Sequence, residues 1–526
     1  MTRLRLKPSL LVVISITLSL ALTGAGPAPV RPTLVVVLTV DQLRGDYLQR
    51  WAGQWRGGFR RLLAEGAVFP NGEQDHAATE TAPGHSTILS GRHPEHTGIV
   101  VNELGVPDST VSVVGAPGAA GASPARFIGT TLVDWMGQTD PEFRFLSVSR
   151  KDRGAILPIG RAKGPVFWYV GGRFTTSTYY ADSLPSWLTA WNLRDGAARL
   201  AGHRWPLLLP DSFYAEVDAQ SFENGGKDNT FPHLLPADTA QARQHVADYP
   251  WVDSLTLDVA LEGTRALHLG ERRRPDLLAI SLSGTDEVGH TWGPDSREIH
   301  DHLLRLDRWL GVFLDSLAKS VPRERILLVL TADHGVTSYP EYLRAHGLPG
   351  GRIRIGALMK EVNASLAART GENAILKESS GLIYGDIEKL RASGVNPESL
   401  ATKLAPRVWG LAGVANAWTP ATLAGAISTD INAARWWRTL PIKFPWLVCA
   451  AAKPGYIWAE NVGYATHGTT NPDDVTVPIA FLGAAIRPGL YPDTVRTVDV
   501  APTLARLLGV KSEGKLDGRV IKRAIN

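Results

Sequence analysis

Leu34-Val35-Val36-Val37-Leu38-Thr39-Val40 is an unbroken apolar run that ends on Asp41. So β-branched a run, with no polar alternation, predicts a strand covered on both faces, as in a largely parallel sheet. Three other runs repeat the arrangement of an apolar strand beside a reactive side chain. Leu277 to Leu282 leads to Asp286, Ile326 to Thr331 ends at Asp333-His334, and Val477 to Leu482 follows closely on His467.

Helical spacing fills the intervals. Glu298 to Lys319 sets Leu303, Leu306, Leu310, Phe313, Leu314 and Leu317 on one face, the stripe a core-packed helix needs. Trp55 to Glu65 and Val500 to Leu508 also read as helices, with Pro502 in the first turn of the second, where proline is tolerated. Strands alternating with helices predict an α/β fold, a mostly parallel central sheet flanked by helices. Such sheets bind ligands beyond the carboxyl ends of their strands. Asp41, Asp286, Asp333 and His334 fall there, whereas His467 precedes its strand and must reach the same place from a loop. Two stretches, at about 160–270 and 336–465, are mixed and rich in tryptophan. They are expected to be cap insertions on a single domain spanning 27–526.

The chain of 526 residues is 44% hydrophobic and 20% charged, ordinary globular material able to bury a large core. Its start has the form of a signal peptide over residues 1–26: Arg3, Arg5 and Lys7, an uncharged stretch from Leu10 to Leu22, then Thr23-Gly24-Ala25-Gly26. The apolar stretch, about 13 residues, is shorter than the roughly 20 a membrane span requires; an uncleaved anchor is the alternative. A periplasmic or secreted location is therefore expected. Formal charge is +4, three of the basic residues lie in that leader, and the remainder is close to neutral. This charge gives no basis for a nucleic-acid partner or a stable membrane partner. Cys449 is the only cysteine, so no intramolecular disulfide forms, and its apolar surroundings mark a buried small side chain rather than a nucleophile.

Three constellations carry chemistry. Asp41, Asp286, His290, Asp333, His334 and His467 are carboxylates and imidazoles near strand ends, with no cysteine beside them. That donor set suits zinc or a similar borderline divalent ion. Thr79-Glu80-Thr81-Ala82-Pro83-Gly84-His85-Ser86-Thr87 reads as a loop entering a helix, and a helix N-terminus offers N–H groups to a phosphoryl group. Among Thr79, Thr81, Ser86 and Thr87, residue chemistry alone does not single out a nucleophile. Lys151-Asp152-Arg153-Gly154, if extended, would point Lys151 and Arg153 to one side, toward a shared anion.

Taken together, Thr39-Val40-Asp41-Gln42-Leu43-Arg44, Thr81-Ala82-Pro83-Gly84-His85, Lys151-Asp152-Arg153-Gly154, Asp286 through His290, Asp333-His334-Gly335 and Thr466-His467-Gly468 resemble the alkaline phosphatase superfamily. The set is most similar to its phosphate-irrepressible bacterial branch, related to type I phosphodiesterases and nucleotide pyrophosphatases. The resemblance implies two zinc ions per chain, one held by Asp286, His290 and His467, the other by Asp41, Asp333, His334 and Thr81. It implies that Thr81 is the nucleophile, passing through a phosphothreonine, and that Asn102, Lys151 and Arg153 contact the phosphoryl oxygens. No dedicated magnesium site is implied. His85 is expected to position the nucleophile loop, while His93, His96, His300 and His302 are expected to be structural or at the surface.

The implied activity is hydrolysis of small phosphate monoesters. Two cations aimed at the non-bridging oxygens favour a monoester dianion over a diester monoanion, and the resemblance ties the Lys-x-Arg pair to monoesterases. A phosphodiesterase or nucleotide pyrophosphatase on the same two-metal scaffold is the nearest rival, and a metal-stabilised binding protein without turnover is a more distant one.

Overall fold

The computed structural model describes residues 31–525; the leader expected over residues 1–26 lies outside them. In chain order the first seven strands of the central sheet are β1 (Leu34–Val40), β2 (Ala67–Glu73), β3 (Phe145–Ser149), β4 (Val166–Val170), β5 (Arg173–Thr175), β6 (Asp276–Leu282) and β7 (Ile326–Thr331). Four strands of a separate sheet follow: β8 (Leu376–Ser379), β9 (Leu382–Gly385), β10 (Val414–Trp418) and β11 (Trp446–Ala452). The chain then returns with β12 (Thr476–Leu482), β13 (Gly489–Leu490) and β14 (Val495–Arg496). The helices that frame the site are α1 (Gly58–Glu65), α2 (Thr81–Ile88), α3 (Leu132–Thr139), α4 (Asp152–Ile156), α5 (Trp251–Ala266), α6 (Gly284–Trp292), α7 (Arg297–Leu317) and α8 (Val500–Leu508).

The central sheet has the spatial order β13-β2-β12-β7-β1-β6-β3-β4-β5, with β14 also on β2. β7, β1, β6, β3 and β4 run parallel, so their carboxyl ends share one edge. The register aligns Thr331, Thr39, Ser281 and Ser149 in one row across that edge. Whatever follows these residues in sequence emerges at the same level. β12 departs from the parallel expectation: it is antiparallel to β7 and to β2. Pro478, which has no N–H to give, falls at a bulge in its pairing with β2.

Both faces of the sheet are buried. Val36, Leu38 and Val40 join a core built with α1, α5 and α7. Val35 and Val37 join the opposite core with α2, α3 and α8. α7 starts at Arg297, one residue ahead of the expected stretch, because the Ser296 hydroxyl caps it by accepting the Ile299 N–H at 3.1 Å. α1 starts at Gly58 rather than Trp55. Its cap comes from α7, where the Asp307 carboxylate accepts the N–H groups of Arg56, Gly57 and Phe59 at 2.6–2.8 Å. A cap supplied from another helix leaves no local signal.

The two aperiodic stretches differ. The 160–270 stretch begins and ends in the central layers: β4 and β5 extend the sheet, and α5 packs on β3 and β6. The 336–465 stretch holds a separate sheet of order β8-β9-β11-β10, antiparallel throughout. One face of this sheet has its own core with helices at Gly356–Thr370 and Pro397–Trp409. The other, including Leu382, Tyr384, Cys449 and Ala451, packs on Ala77, Ala78, Val100 and Val101 of the main body. Cys449 is buried there, and burial pushes its thiol well above its ordinary pKa. No helix among the described residues is long and apolar enough to cross a membrane.

Candidate active site

Four adjacent parallel strands deliver the candidate residues to one place. Asp41 follows β1, Asp333 and His334 lie just past β7, Asp286 is in the first turn of α6 after β6, and Lys151 stands between β3 and α4. His467 and Thr81 arrive from outside the sheet, on a loop and at the first turn of α2. Six of the seven are buried, as is His290 in the last turn of α6; His467 is partly buried, with its side chain 8% exposed.

The three histidines are oriented by one device. Nδ1 of His290 meets the Ala465 carbonyl at 2.7 Å, Nδ1 of His467 meets the Thr79 carbonyl at 2.7 Å, and Nδ1 of His334 meets the Gly335 carbonyl at 3.0 Å. A carbonyl only accepts, so each neutral ring carries its proton on Nδ1 and presents a bare Nε2. His290 Nε2 lies 3.2 Å and His467 Nε2 3.6 Å from Asp286 Oδ1. His334 Nε2 lies 3.4 Å from Asp41 Oδ1 and 3.6 Å from Asp333 Oδ2. Asp41 Oδ1 and His334 Nε2 have no hydrogen-bond partner, while Asp41 Oδ2 is met by the Lys151 ammonium and Asp333 Oδ2 by His85. Buried lone pairs of this kind are costly unless something occupies them. A divalent cation fits: neutral imidazoles, carboxylates and no competing donor are its ligand chemistry.

Among the described residues two groups converge closely enough to hold an ion: Asp286, His290 and His467, and Asp41, Asp286 and His334. Asp286 stands in both, so the structure puts it between the two positions rather than in one alone. Asp333 lies beside the second group, its Oδ2 3.6 Å from His334 Nε2. Its Oδ1 is taken by the backbone N–H groups of Gln42 at 3.2 Å and His334 at 3.1 Å.

The electrostatics follow from crowding of acids. Burial, and after it the Asp286 and Asp333 charges, raise the Asp41 carboxyl to about 7. Burial also works against ionised Asp286, but His290 and Lys151 hold it well below the usual carboxylate range. Lys151 is the cation that answers these acids. Its Nζ lies 2.5 Å from Asp286 Oδ2, 2.7 Å from Asp41 Oδ2 and 3.5 Å from Thr81 Oγ1. Burial opposes its charge, yet Asp286 and Asp41 raise its pKa.

The extended geometry expected for Lys151-Asp152-Arg153 is not found. Lys151 is the extended residue capping α4, and Arg153 is already helical. The two side chains therefore diverge. Lys151 turns inward, while Arg153 is partly exposed and lies 3.7 Å from Asp152. Asp152 accepts the Arg153 N–H at 2.6 Å; a short acidic residue in the first turn favours helix over extension.

Around Thr81, Asn102 Oδ1 accepts the Ala82 N–H at 2.8 Å. His85 Nδ1 meets the Thr81 carbonyl at 2.9 Å and lies 3.0 Å from Asp333 Oδ2, while Nε2 pairs with Ser281 Oγ at 2.8 Å. It thus ties α2 to β6 and β7. His93, His96, His300 and His302 all lie outside the site, bonded to Asp75, Asp517, Glu216 and Thr285 respectively; His96 alone of the four is largely exposed.

Two site residues went unassigned in the sequence. Gln42 donates from Nε2 to Asp286 Oδ1 at 2.7 Å, and its φ of 68° is left-handed, unusual for a residue with a side chain. Glu80 accepts the Asn102 N–H at 2.7 Å and the Ser380 hydroxyl at 2.6 Å. Burial, then the Glu103 charge, raise its carboxyl. Its position beside Thr81 was visible, but its partners lie far away in sequence.

The architecture and the site define a class, the alkaline phosphatase superfamily. Within it the chain belongs to the type I phosphodiesterase / nucleotide pyrophosphatase family, whose model matches residues 35–350. Among curated relatives, alkaline phosphatase PafA of Elizabethkingia meningoseptica is 32% identical over 98% of this chain and 98% of its own. Alkaline phosphatase PhoV of Synechococcus elongatus is 32% identical over 93% of this chain and 92% of its own. The crystal structure of wild-type PafA superposes with a TM-score of 0.87 at 30% identity, covering 95% of this chain and all of that one.

Proposed function

We propose that this chain hydrolyses small phosphate monoesters through a covalent phosphothreonine on Thr81, with two zinc ions at the paired groups. The chain is a phosphatase enzyme; relatives named alkaline phosphatases align along nearly its whole length. The observation that carries the finer reading is the set of three bare Nε2 atoms turned on buried carboxylates, among them the unpartnered Asp41 Oδ1, beside a helix-start hydroxyl. Asp286, His290 and His467 would hold one ion, and Asp41, Asp333, His334 and Thr81 the other. Bound there, zinc supplies Lewis acidity that stabilises an alkoxide on the nucleophile and on the leaving group.

The chain's own groups do the rest. Thr81 Oγ1 attacks phosphorus, the new O–P bond forms as the ester O–P bond breaks, and the alcohol leaves with a proton. Water then cleaves the phosphothreonine, releasing inorganic phosphate and restoring the hydroxyl. Lys151, deep in the site, and Asn102, fixed on the first turn of α2, grip the non-bridging oxygens. Arg153 reaches them from the open side. Charge on those oxygens grows with the number that are unesterified, which favours monoesters over diesters. Export to the periplasm or the medium is part of the same proposal.

Zinc analysis of the mature protein, with rates on matched mono- and diesters, tests this. Two zinc per chain and a faster monoester are expected. A faster diester, or full activity in Thr81→Ala, would overturn it.

A further inference from the structure

A carboxylate next to a site for a dianion is electrostatically adverse, yet Glu80 immediately precedes Thr81. It is no free base. One oxygen accepts the backbone N–H of Asn102 at 2.7 Å; the other accepts the hydroxyls of Ser380 at 2.6 Å and Ser379 at 3.0 Å. The residue is 5% exposed, so its lone pairs are committed.

We propose that Glu80 is a positioning residue for Asn102, through which the cap sheet sets the grip on the phosphoryl group. Asn102 opens a single 3-10 turn, Asn102–Leu104, and the first N–H of such a turn has no partner of its own. Glu80 supplies one, in a charge-assisted bond. The Asn102 amide is then fixed from both ends. Its backbone hangs on Glu80, and its Oδ1 on the Ala82 N–H. Among the described residues no protein acceptor takes Asn102 Nδ2, which leaves that donor for an anion at Thr81. Gly105 locks the end of the turn against α2, since a Cβ there would lie 2.8 Å from that of Ala82.

The other oxygen of Glu80 answers to the cap. Ser380 and Gly381 join β8 to β9 with φ of 52° and 83°, a two-residue hairpin turn of the kind whose twist matches its strands. The tip of that turn touches Glu80 and also packs on Gly468, next to His467; a Cβ on Gly468 would lie 2.2 Å from Ser380 Oγ. Beneath the hairpin, Leu382 and Tyr384 pack on Ala78 and Val101, the residues ahead of the nucleophile loop and of Asn102. The cap therefore bears on the phosphoryl grip through one carboxylate.

The proposal rests on the reading of Asn102 as a phosphoryl contact, and a double-mutant cycle separates the two. Monoester kcat/KM and inhibition by inorganic phosphate are measured for Glu80→Ala, Asn102→Ala and the double variant, with zinc content checked in each. Glu80→Ala should lower kcat/KM and weaken phosphate inhibition at least tenfold, and the double variant should be no worse than Asn102→Ala. Glu80→Gln, which keeps an acceptor for the Asn102 N–H, should recover most of the loss. Ser379→Ala with Ser380→Ala should reproduce a milder form without touching the nucleophile loop, which covers the case of a poorly folded Glu80→Ala. Multiplicative losses, or Glu80→Gln as damaged as Glu80→Ala, would overturn the role of Glu80 alone. Asn102→Ala with unchanged kcat/KM would overturn the reading of Asn102 and the inference with it.

Discussion

The Lys151 ammonium lies 3.5 Å from the Thr81 hydroxyl while paired with Asp41 and Asp286. One cation thus touches the nucleophile and both groups of candidate metal ligands. Arg153 is placed differently, inside α4, partly exposed and 3.7 Å from Asp152. Removing both, as Lys151→Ala with Arg153→Ala, should lower monoester kcat/KM by about a hundredfold or more, the scale of losing one preorganised donor in a dry site. Diester kcat/KM should fall much less. Equal losses on paired substrates would show that these cations do not select the dianion. Lys151→Ala should be the more damaging single change, because it alone is buried among the acids.

Thr81→Ala should cut turnover on the order of 10⁴-fold or more, the scale seen when a nucleophile is deleted. Six carboxylate and imidazole ligands remain, so zinc content should fall little. Thr81→Ser should keep measurable activity. Mass spectrometry of enzyme quenched in acid during turnover should find phosphate on Thr81 in the wild type and none in Thr81→Ala. Phosphate on Thr79, Ser86 or Thr87 would move the nucleophile. Those three hydroxyls are bonded to the carbonyls of Thr469, Pro83 and Gly84, which is why the structure favours Thr81.

Chelation tests the metal without touching the chain. Removing the ions leaves Asp41, Asp286 and Asp333 buried together, with the Lys151 ammonium paired to the first two. Chelated enzyme should lose activity and melt at a lower temperature, and added zinc should restore both, since an ion that binds only the folded state stabilises it by mass action. A melting temperature indifferent to chelator would mean that the paired groups hold no ion.

The apolar runs were legible because both faces of β1, β6 and β7 are covered, which removes polar alternation. β2 was not, since Pro70, Asn71 and Gly72 lie in it and mimic a turn. α5 was missed for another reason. It is squeezed between the sheet and α7, and the helix at Ser186–Asn192 covers part of its outer side, so its apolar residues form no single stripe. The candidate ligands were visible as residue types near strand ends. What joins them was not: Asp286 standing between two groups, the carbonyl bonds of His290 and His467 and the Glu80 bridge all depend on contacts that cross from about 20 to almost 390 residues of sequence. The inward turn of Lys151 hinged on whether Asp152 began a helix, a local choice that spacing alone does not make.

Asp253 offers a pH test away from the ligands. Its Oδ1 accepts the Gly284 N–H at 2.9 Å, at the start of α6, while Oδ2 makes no hydrogen bond and lies 3.6 Å from His302 Nε2. Burial raises the carboxyl to about 7, against the Gly284 bond that lowers it. With the folded pKa above the unfolded one, the folded state holds a proton that the unfolded state has lost between about pH 4 and 7. Stability from this group therefore declines as pH rises through that window, by on the order of 4 kcal/mol at most. Asp253→Asn keeps the acceptor and removes the charge. Its urea midpoint should fall less than that of the wild type between pH 5 and 8; parallel curves would place the Asp253 pKa at its ordinary value.

Gly84 sets how closely α2 approaches β7. A Cβ there would stand 2.2 Å from the Asp333 carbonyl oxygen and 2.7 Å from the Asp333 Cβ. Backbone cannot yield as a side-chain tip can, so Gly84→Ala must push α2 and the end of β7 apart. Overpacking of this kind costs about 1–3 kcal/mol in stability. The catalytic loss should be larger, because the displaced helix carries Thr81 and the displaced strand end carries Asp333 and His334. A misplacement of roughly 1 Å at reacting groups costs on the order of a hundredfold. Gly53→Ala, where a Cβ meets nothing within 4 Å, is the control and should leave activity and melting temperature unchanged. Gly84→Ala should melt a few degrees lower and lose about a hundredfold in monoester kcat. If it loses stability but keeps kcat, then Thr81 and Asp333 do not act at a fixed separation, and the pairing of nucleophile and ligand group proposed above fails with it.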